Sequence, residues 1–295
     1  MSDRMIIVGP GRMGLALGHA LWHAEALETL SYFGRRPEPP AHPLFMHGVA
    51  RYVHGLEAPP PGTTVVVLAV PDDHVPEMAH ALAALGAAPE GCAAFHLSGA
   101  LSTEALTPLH AVGYAVGSFH PMQTVAHPVS GAERLAGSSV AVAGESTAMR
   151  AGHRLAAALG CTVVTVPVRG RPAYHAAAVM ASNYLAALVA SSVRLLCRAG
   201  LEEDEALRAV LPLARGTLDN IGEMGLARAV TGPIVRGDAE TVGLHLRTLE
   251  GPERELYRAL GCELLRQASE QGLVPEDAEP ALSRLLGGDA AEPED

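Results

Sequence analysis

The stretch Met5-Ile6-Ile7-Val8-Gly9-Pro10-Gly11-Arg12-Met13-Gly14 constrains the fold more than any other part of the chain. A short apolar run ends in glycines spaced G-x-G-x-x-G, and an Ala/Leu-rich helical pattern, Leu15 to Trp22, follows at once. Each glycine has a physical task. Gly9 permits a tight turn out of the strand, Gly11 lets a pyrophosphate approach the bare backbone, and Gly14 lets helix and strand pack closely. The helix N-terminus then offers free N–H groups and the positive end of its dipole to phosphates. Gly9, Gly11, Arg12, Met13 and Gly14 are therefore the expected cradle of a dinucleotide.

The chain that follows alternates strand and helix patterns. Leu30-Ser31-Tyr32-Phe33 reads as a second strand and ends in Gly34-Arg35-Arg36. The residue that meets the adenosine ribose stands about 20 residues past the glycines. An acid there would suit the 2′-hydroxyl of NAD. This chain offers Arg35 and Arg36, whose planar forks suit a 2′-phosphate, so NADP is expected and NAD is the alternative. Both arginines could also be plain loop residues before the proline-rich turn Pro37 to Pro43.

Val49 to Val53 reads as a short strand. Thr64 to Val70 is a continuous apolar run, as for a strand buried on both faces of a parallel sheet. Pro71-Asp72-Asp73 then supplies a turn and a cap for a helix from His74 to Leu85. Further strands are expected over Ala93 to Leu97, ending at Ser98-Gly99, and over Tyr114 to Phe119, ending at His120-Pro121. Ser139 to Val142 and Thr162 to Val166 would flank a helix at Thr147 to Leu159. Ligands of such sheets sit beyond the carboxyl ends of the strands. Val70, Pro71 and Ser98 are thus expected at the cofactor, and Ser98 and His120 at the substrate.

Composition narrows the chemistry. All 21 basic residues are arginine. A catalytic lysine, a Schiff base and a P-loop lysine are therefore excluded, and a proton donor must be His, Tyr, Cys, Asp, Glu or water. A net charge of −11 argues against nonspecific nucleic-acid binding. The four cysteines lack motif spacing and, with no signal peptide read at the N-terminus, fit a cytoplasmic protein. His19 and His23 have the i, i+4 spacing of zinc ligands, but no glutamate completes a zinc motif, so no metal is expected.

Arg169-Gly170-Arg171-Pro172 reads as a linker, after which the periodicity becomes helical. Ala173 to Ala199 is one long helical pattern, and Ala176 to Val193 carries no charge. Ser182, Asn183, Ser191 and Ser192 interrupt it, so a helix buried on all sides in a helical domain or dimer is expected in place of a membrane span. Helices are expected at Glu203 to Leu213, Thr217 to Met224, Ala239 to Leu249 and Glu253 to Gln271. Val274 to Asp295 holds seven acids and one arginine, a net of −6, and reads as a solvated tail. The expected fold class is α/β, a Rossmann-like doubly wound, mainly parallel sheet followed by an all-helical C-terminal domain. The expected bounds are 1–168 for the nucleotide-binding domain, 169–272 for the helical substrate and dimerisation domain, and 273–295 for the tail.

Candidate chemistry lies on the helical side. His175 opens the long helix and Asn183 follows two turns later, so both share a face. His175 could protonate a carbonyl oxygen, since imidazole titrates near working pH, and Asn183 could orient it. Both could equally satisfy backbone groups only. In Thr231 to Asp238 a Gly-Pro turn carries Arg236 and Asp238. Arg236 could hold a substrate carboxylate, Asp238 fits an N-cap better, and His245 lies seven residues further on.

Several of these motifs carry a family resemblance. They are Gly9 to Gly14, Ala69-Val70-Pro71-Asp72, His96-Leu97-Ser98-Gly99-Ala100, Ser118 to Gln123, Tyr174 to Ala178, Ser182-Asn183-Tyr184 and Thr231 to Asp238. From Met5 to Leu249 the chain resembles two-domain bacterial proteins that pair a Rossmann-like domain with a helical domain of unknown function. That group lies within the superfamily of ketopantoate reductase, pyrroline-5-carboxylate reductase and 6-phosphogluconate dehydrogenase. The resemblance implies an NAD(P)H-dependent reductase of a small oxo or imino acid, dimeric through its helical domain. A ketopantoate-like 2-oxo acid is the favoured substrate. An imine reductase resembling pyrroline-5-carboxylate reductase and a non-catalytic NADPH-binding regulator are the alternatives. Ketopantoate reductases place a lysine one turn before the helix asparagine; here Val179 stands there.

Overall fold

The computed structural model describes residues 2–287. Eight strands form one sheet: β1 (Asp3–Val8), β2 (Leu27–Gly34), β3 (Arg51–His54), β4 (Val65–Leu68), β5 (Ala93–His96), β6 (Ala115–Pro121), β7 (Ser139–Gly144) and β8 (Thr162–Val164). Their order is β3-β2-β1-β4-β5-β6-β7-β8, and every pair is parallel except β6 with β7. The first six strands follow the dinucleotide-binding order, which reverses between β1 and β4. The expected Rossmann-like, mainly parallel sheet is therefore present.

The helices of this part are α1 (Arg12–His23), α2 (Pro43–Met46), α3 (Val75–Ala83), α4 (Thr107–Ala111), α5 (Pro128–Leu135), α6 (Ser146–Ala158) and α7 (Arg171–Val179). They cover both faces of the sheet. Met5, Ile7, Val65, Val67 and Phe95 pack on one side with Leu17 and Leu21 of α1 and Leu155 of α6. Ile6, Val8, Val66, Leu68 and Ala94 pack on the other with Val75, Ala79 and Leu82 of α3 and Leu109 of α4. This is why β4 reads as an uninterrupted apolar run: Val65 to Leu68 are all at most 1% exposed.

The chain divides into two compact units between Asn183 and Tyr184. The second holds α8 (Leu185–Arg198), α9 (Glu203–Met224), α10 (Leu226–Ala229), α11 (Ala239–Thr248), α12 (Gly251–Glu270) and α13 (Glu279–Gly287). It has no strand among its described residues. Val193 of α8 packs with Ala206 and Val210 of α9, and a larger core joins Ile234, Val242, Leu246, Leu265, Leu282 and Leu286. Buried Glu253 accepts from Arg194 at 2.9 Å and from Arg198 at 3.2 Å, tying α12 to α8.

Four expectations need correction. The pattern over Ala173 to Ala199 is not one α-helix, because a π turn at Met180–Tyr184 separates α7 from α8. Nor is it enclosed by its own chain, the first of the two surroundings expected for it: Val168–Arg198 is long and apolar enough to cross a membrane by length and composition, and only 6% of its apolar window is buried within the chain. The helices expected at 203–213 and 217–224 are one, α9, running through Pro212. The carbonyl that Pro212 leaves without a donor belongs to Arg208, on an exposed turn where water can serve it. Finally, the acidic segment from Val274 to Gly287 is not a solvated tail. Val274, Leu282 and Leu286 are buried in the unit's core while Glu276, Asp277 and Arg284 face outwards. Charge dominates that segment's composition, but apolar spacing decides its packing. Residues 288–295 of the expected tail lie outside the described residues.

Candidate active site

The glycine turn leaves β1 at the point where the strand order reverses. Gly9 has φ of +103°, and a Cβ there would lie 2.5 Å from the carbonyl oxygen of Ala69, at the end of β4. A Cβ on Gly14 would lie 2.4 Å from Gly9 O and 2.9 Å from Ala69 Cβ. Gly11 is the opposite case: nothing lies within 4 Å of its Cβ position. Two glycines are therefore needed to close the turn on the sheet, and the third leaves open space in front of it. Gly11 is the N-cap of α1 and no side chain caps the helix. Its first N–H groups remain free for an anion, as the dipole favours. Arg12 is exposed and Met13 half-buried at the helix start. Tyr32 of β2 steadies the turn by donating its hydroxyl to Gly14 O at 3.0 Å.

Arg35 and Arg36 follow β2, both exposed, and neither takes part in an ion pair among the described residues. Tyr52 donates to the Arg36 carbonyl at 2.6 Å, which pins the backbone between them. These residues fit a nucleotide bearing an additional phosphate. The open turn, the uncapped helix and two guanidinium groups outside any ion pair are the kinds of group such a ligand requires.

Past the ends of β4 and β5, half-buried Val70 and exposed Pro71 lead into a 3-10 turn at Asp72–His74. Ser98 Oγ donates to Asp72 at 2.5 Å and accepts from Ala100 N and Leu101 N at 3.1 and 3.0 Å. Its hydroxyl is thus committed to shaping the 98–101 loop. Gly99, the next residue, is buried against two imidazoles. A Cβ there would lie 2.8 Å from His120 Nε2 and 2.9 Å from His175 Nδ1. The missing side chain is what admits both rings.

His120 is the last residue but one of β6 and His175 lies on α7, with ring centroids 6.1 Å apart. Tyr174 joins them, its hydroxyl 2.8 Å from His120 Nδ1. Burial, reinforced by His175, holds the His120 imidazole down to about 4, and burial raises the Tyr174 phenol. At neutral pH the ring is therefore uncharged and the phenol keeps its proton, so the two share one neutral hydrogen bond whose donor is set by the imidazole tautomer. His175 Nδ1 is buried with no hydrogen-bond partner. His96, at the end of β5, is 0% exposed, and burial pushes it down to about 4 as well.

Arg171 begins α7 and is buried, contrary to its reading as linker. It donates to Leu101 O and, at 2.5 Å, to Ser118 Oγ. Arg171, Tyr174 and His175 stand at i, i+3 and i+4, one helical face. That spacing was readable in the sequence, and it would have added Arg171 and Tyr174 to His175. Likewise Ser118 and His120 alternate on one face of β6. Nothing comparable marks the pairing of Asp72 with Ser98, 26 residues apart.

The remaining candidates are placed as follows. Asn183 lies within the π turn, exposed, its amide oxygen accepting from Ser182 Oγ at 3.3 Å. Eight α-helical steps from His175 would leave it about 80° off that face, and the wider π turn reduces the offset. In the second unit Asp238 caps α11, accepting from Thr241 N at 3.0 Å and Thr241 Oγ1 at 2.8 Å. Arg236 is exposed and lies 3.9 Å from Asp238. His245 Nδ1 is 2.9 Å from Tyr257 OH. On α1, His19 and His23 bring their Nε2 atoms to 2.9 Å. No group of three or more His, Cys, Asp or Glu side chains among the described residues is arranged to hold a metal ion.

Comparison with known proteins agrees with this architecture. Residues 53–121 match the family model described as a Rossmann-like domain, and residues 138–264 match the one described as a domain of unknown function, DUF2520. No curated protein matches the chain by sequence. Among solved structures, protein TM1727 from Thermotoga maritima is 25% identical with a TM-score of 0.68, over 91% of this chain and 99% of its own. BF3122 from Bacteroides fragilis, a candidate NADP oxidoreductase, is 21% identical with a TM-score of 0.69, over 90% of this chain and 98% of its own. The Plasmodium falciparum pyrroline carboxylate reductase with NADP bound is 14% identical with a TM-score of 0.57, over 97% of both chains. This chain joins a Rossmann-like domain to a DUF2520 domain.

Proposed function

We propose that the protein is an NADPH-dependent oxidoreductase that reduces the carbonyl or imine carbon of a small acid. The observation that carries this reading is the meeting of His120 and His175 at Gly99, with Tyr174 bonded to His120, in the same sheet whose first strand ends in the open glycine turn. Bound to that turn, the nicotinamide nucleotide would supply hydride. The chain's own residues do the rest. Gly11 and the first N–H groups of α1 seat the pyrophosphate, and Arg35 and Arg36 hold the 2′-phosphate. Asp72 and Ser98 fix the loop that presents Gly99. His175 delivers the proton to the nascent oxygen or nitrogen, and Asn183 orients it. Tyr174 and neutral His120 hold a second proton beside it in a low-dielectric pocket.

The likeness to proteins whose names specify NADP supports the cofactor. Val179, where ketopantoate reductases carry lysine, makes imine reduction the second reading. NADPH oxidation with ketopantoate and with a cyclic imino acid, each at saturation, separates the two. Binding of NADPH without turnover on either would favour the regulator. Replacing His175 by Ala should lower kcat about 10²–10⁴-fold, and a loss smaller than about threefold would remove it as the proton donor.

We place the enzyme in the cytoplasm, in keeping with its four free cysteines, and as a homodimer whose second copy covers the exposed apolar face of α8. Ser191 and Ser192 within that helix fit a protein partner better than lipid. Light scattering at micromolar concentration tests the dimer, and a monomeric mass would refute it.

A further inference from the structure

Arg171 is the first residue of α7 and is 5% exposed, yet it forms no ion pair among the described residues. Its guanidinium instead spans two other segments. One nitrogen donates to Leu101 O, in the loop that leaves β5, and another to Ser118 Oγ of β6 at 2.5 Å. The group is planar and presents its N–H bonds as a rigid fork, so two bonds to two segments fix its orientation.

Those segments carry what surrounds the imidazoles. Leu101 closes the turn that Ser98 shapes: Ser98 Oγ accepts from Leu101 N at 3.0 Å and donates to Asp72 at 2.5 Å. Gly99 lies inside that turn, against His120 and His175. Ser118 stands two residues before His120, on one face of β6. His175 stands one turn after Arg171, on one face of α7. A chain of hydrogen bonds therefore runs from Asp72 through Ser98, the backbone of Leu101 and Arg171 to Ser118. It joins the loop, the strand and the helix that meet at Gly99.

The charge on Arg171 adds something a neutral donor would not. Burying it unpaired costs stability. Around His120 stand His175, Tyr174, Asp72 and Arg171; around His96 stand Arg171, Asp72 and His120. Burial is the main reason both rings resist protonation. Arg171 acts in the same direction on each, and Asp72 opposes it.

We propose that Arg171 is a positioning residue: by clamping the first turn of α7 to β6 and to the 98–101 loop, it sets His175 against His120 at Gly99. That the clamp serves a reaction rests on the reductase reading; the clamp itself does not. In this role Arg171 touches neither substrate nor cofactor and acts through His175.

The test is a double-mutant cycle in the full chain, read by NADPH oxidation with ketopantoate or the cyclic imino acid, whichever turns over. Arg171→Gln should lower kcat at least about tenfold, since a misplacement of about 1 Å costs up to about 10²-fold. KM and NADPH affinity should stay within about threefold, because Arg171 contacts neither ligand. On a His175→Ala background the same substitution should change kcat less than about twofold, because the group it places is gone. Wild-type kcat in Arg171→Gln, or an equal loss on both backgrounds, overturns the proposal. Where Arg171→Gln does not fold, Ser118→Ala removes one anchor and keeps the charge. It should lower kcat at least about threefold with His175 present and less than about twofold without it; no loss, or an equal loss on both backgrounds, overturns the proposal equally. Imidazole NMR signals of the full chain separate the clamp from the reductase reading. Arg171→Gln, or Ser118→Ala in its place, should shift the His175 signal and leave that of His245, in the second unit, unmoved. That shift in a protein whose wild type turns over neither substrate would sink the reductase reading and leave the clamp standing. Turnover with an unmoved His175 signal would do the reverse.

Discussion

Alanine at Gly14 and alanine at Gly11 should fail in opposite ways. At Gly14 the new Cβ would meet Gly9 O at 2.4 Å, Ala69 Cβ at 2.9 Å and Ile7 Cγ2 at 3.2 Å. The nearest atom is a backbone carbonyl in a tight turn, which cannot move without opening the turn itself. Overpacking of this kind costs up to about 3 kcal/mol, and the better helix propensity of alanine returns about 1 kcal/mol. The net loss of about 2 kcal/mol corresponds to a fall in Tm of about 4–8 °C. At Gly11 the backbone is at φ −80°, open to any residue, and no atom lies within 4 Å of the Cβ position. Stability without nucleotide should therefore change by less than about 1 kcal/mol, the range of an N-cap change. That methyl group occupies the approach to the helix N-terminus, so NADPH affinity should fall by at least about tenfold, or about 1.4 kcal/mol. Scanning calorimetry without nucleotide and NADPH fluorescence titration read the two effects separately. Gly14→Ala melting with the wild type would refute the packing argument. Gly11→Ala binding NADPH like the wild type would remove the cofactor from this turn.

Two further outcomes follow from the same geometry. Replacing Arg35 and Arg36 together by Ala should weaken NADPH by at least about tenfold and leave NADH affinity within about twofold, since only the 2′-phosphate contact is lost; an equal loss of both nucleotides would place the arginines elsewhere. The buried histidines set a pH dependence. His96 and His120 are each held down to about 4, chiefly by burial, against about 6.5 in an unfolded chain. Below about pH 6.5 the unfolded state takes up protons that the folded state refuses. Stability is therefore full above that pH and falls as pH drops towards 4, by up to about 1.4 kcal/mol per pH unit for each ring. Urea midpoints at pH 7.5 and 5.0 check this, and a flat profile would contradict the burial of these rings.

Much of the first unit was legible because its signals are local. Glycine spacing, the apolar run at Val65 to Leu68 and the turn residues after each strand report on backbone conformation within a few residues. The two arginines after β2 were legible for the same reason, since a fixed chain length separates them from the glycines. Arg171 was missed because flanking glycine and proline gave Arg169 to Pro172 the look of a connection. Its burial comes from Leu101 and Ser118, 70 and 53 residues away. The segment after Val274 was misread because net charge was weighed ahead of the Leu282 and Leu286 spacing that packs it.

By itself, the sequence determined the strand-and-helix alternation, the closed-then-open character of the glycine turn and the absence of any lysine for chemistry. These depend on residue type and on neighbours along the chain. Only the tertiary structure decided that Gly99 stands between two imidazoles, that Tyr174 rather than solvent meets His120, and that Arg171 is buried without an acid. Those facts require strands β5 and β6 and helix α7 to be brought together from positions 53 to 70 apart in the chain, and burial, the cause of the altered protonation, exists only once they are.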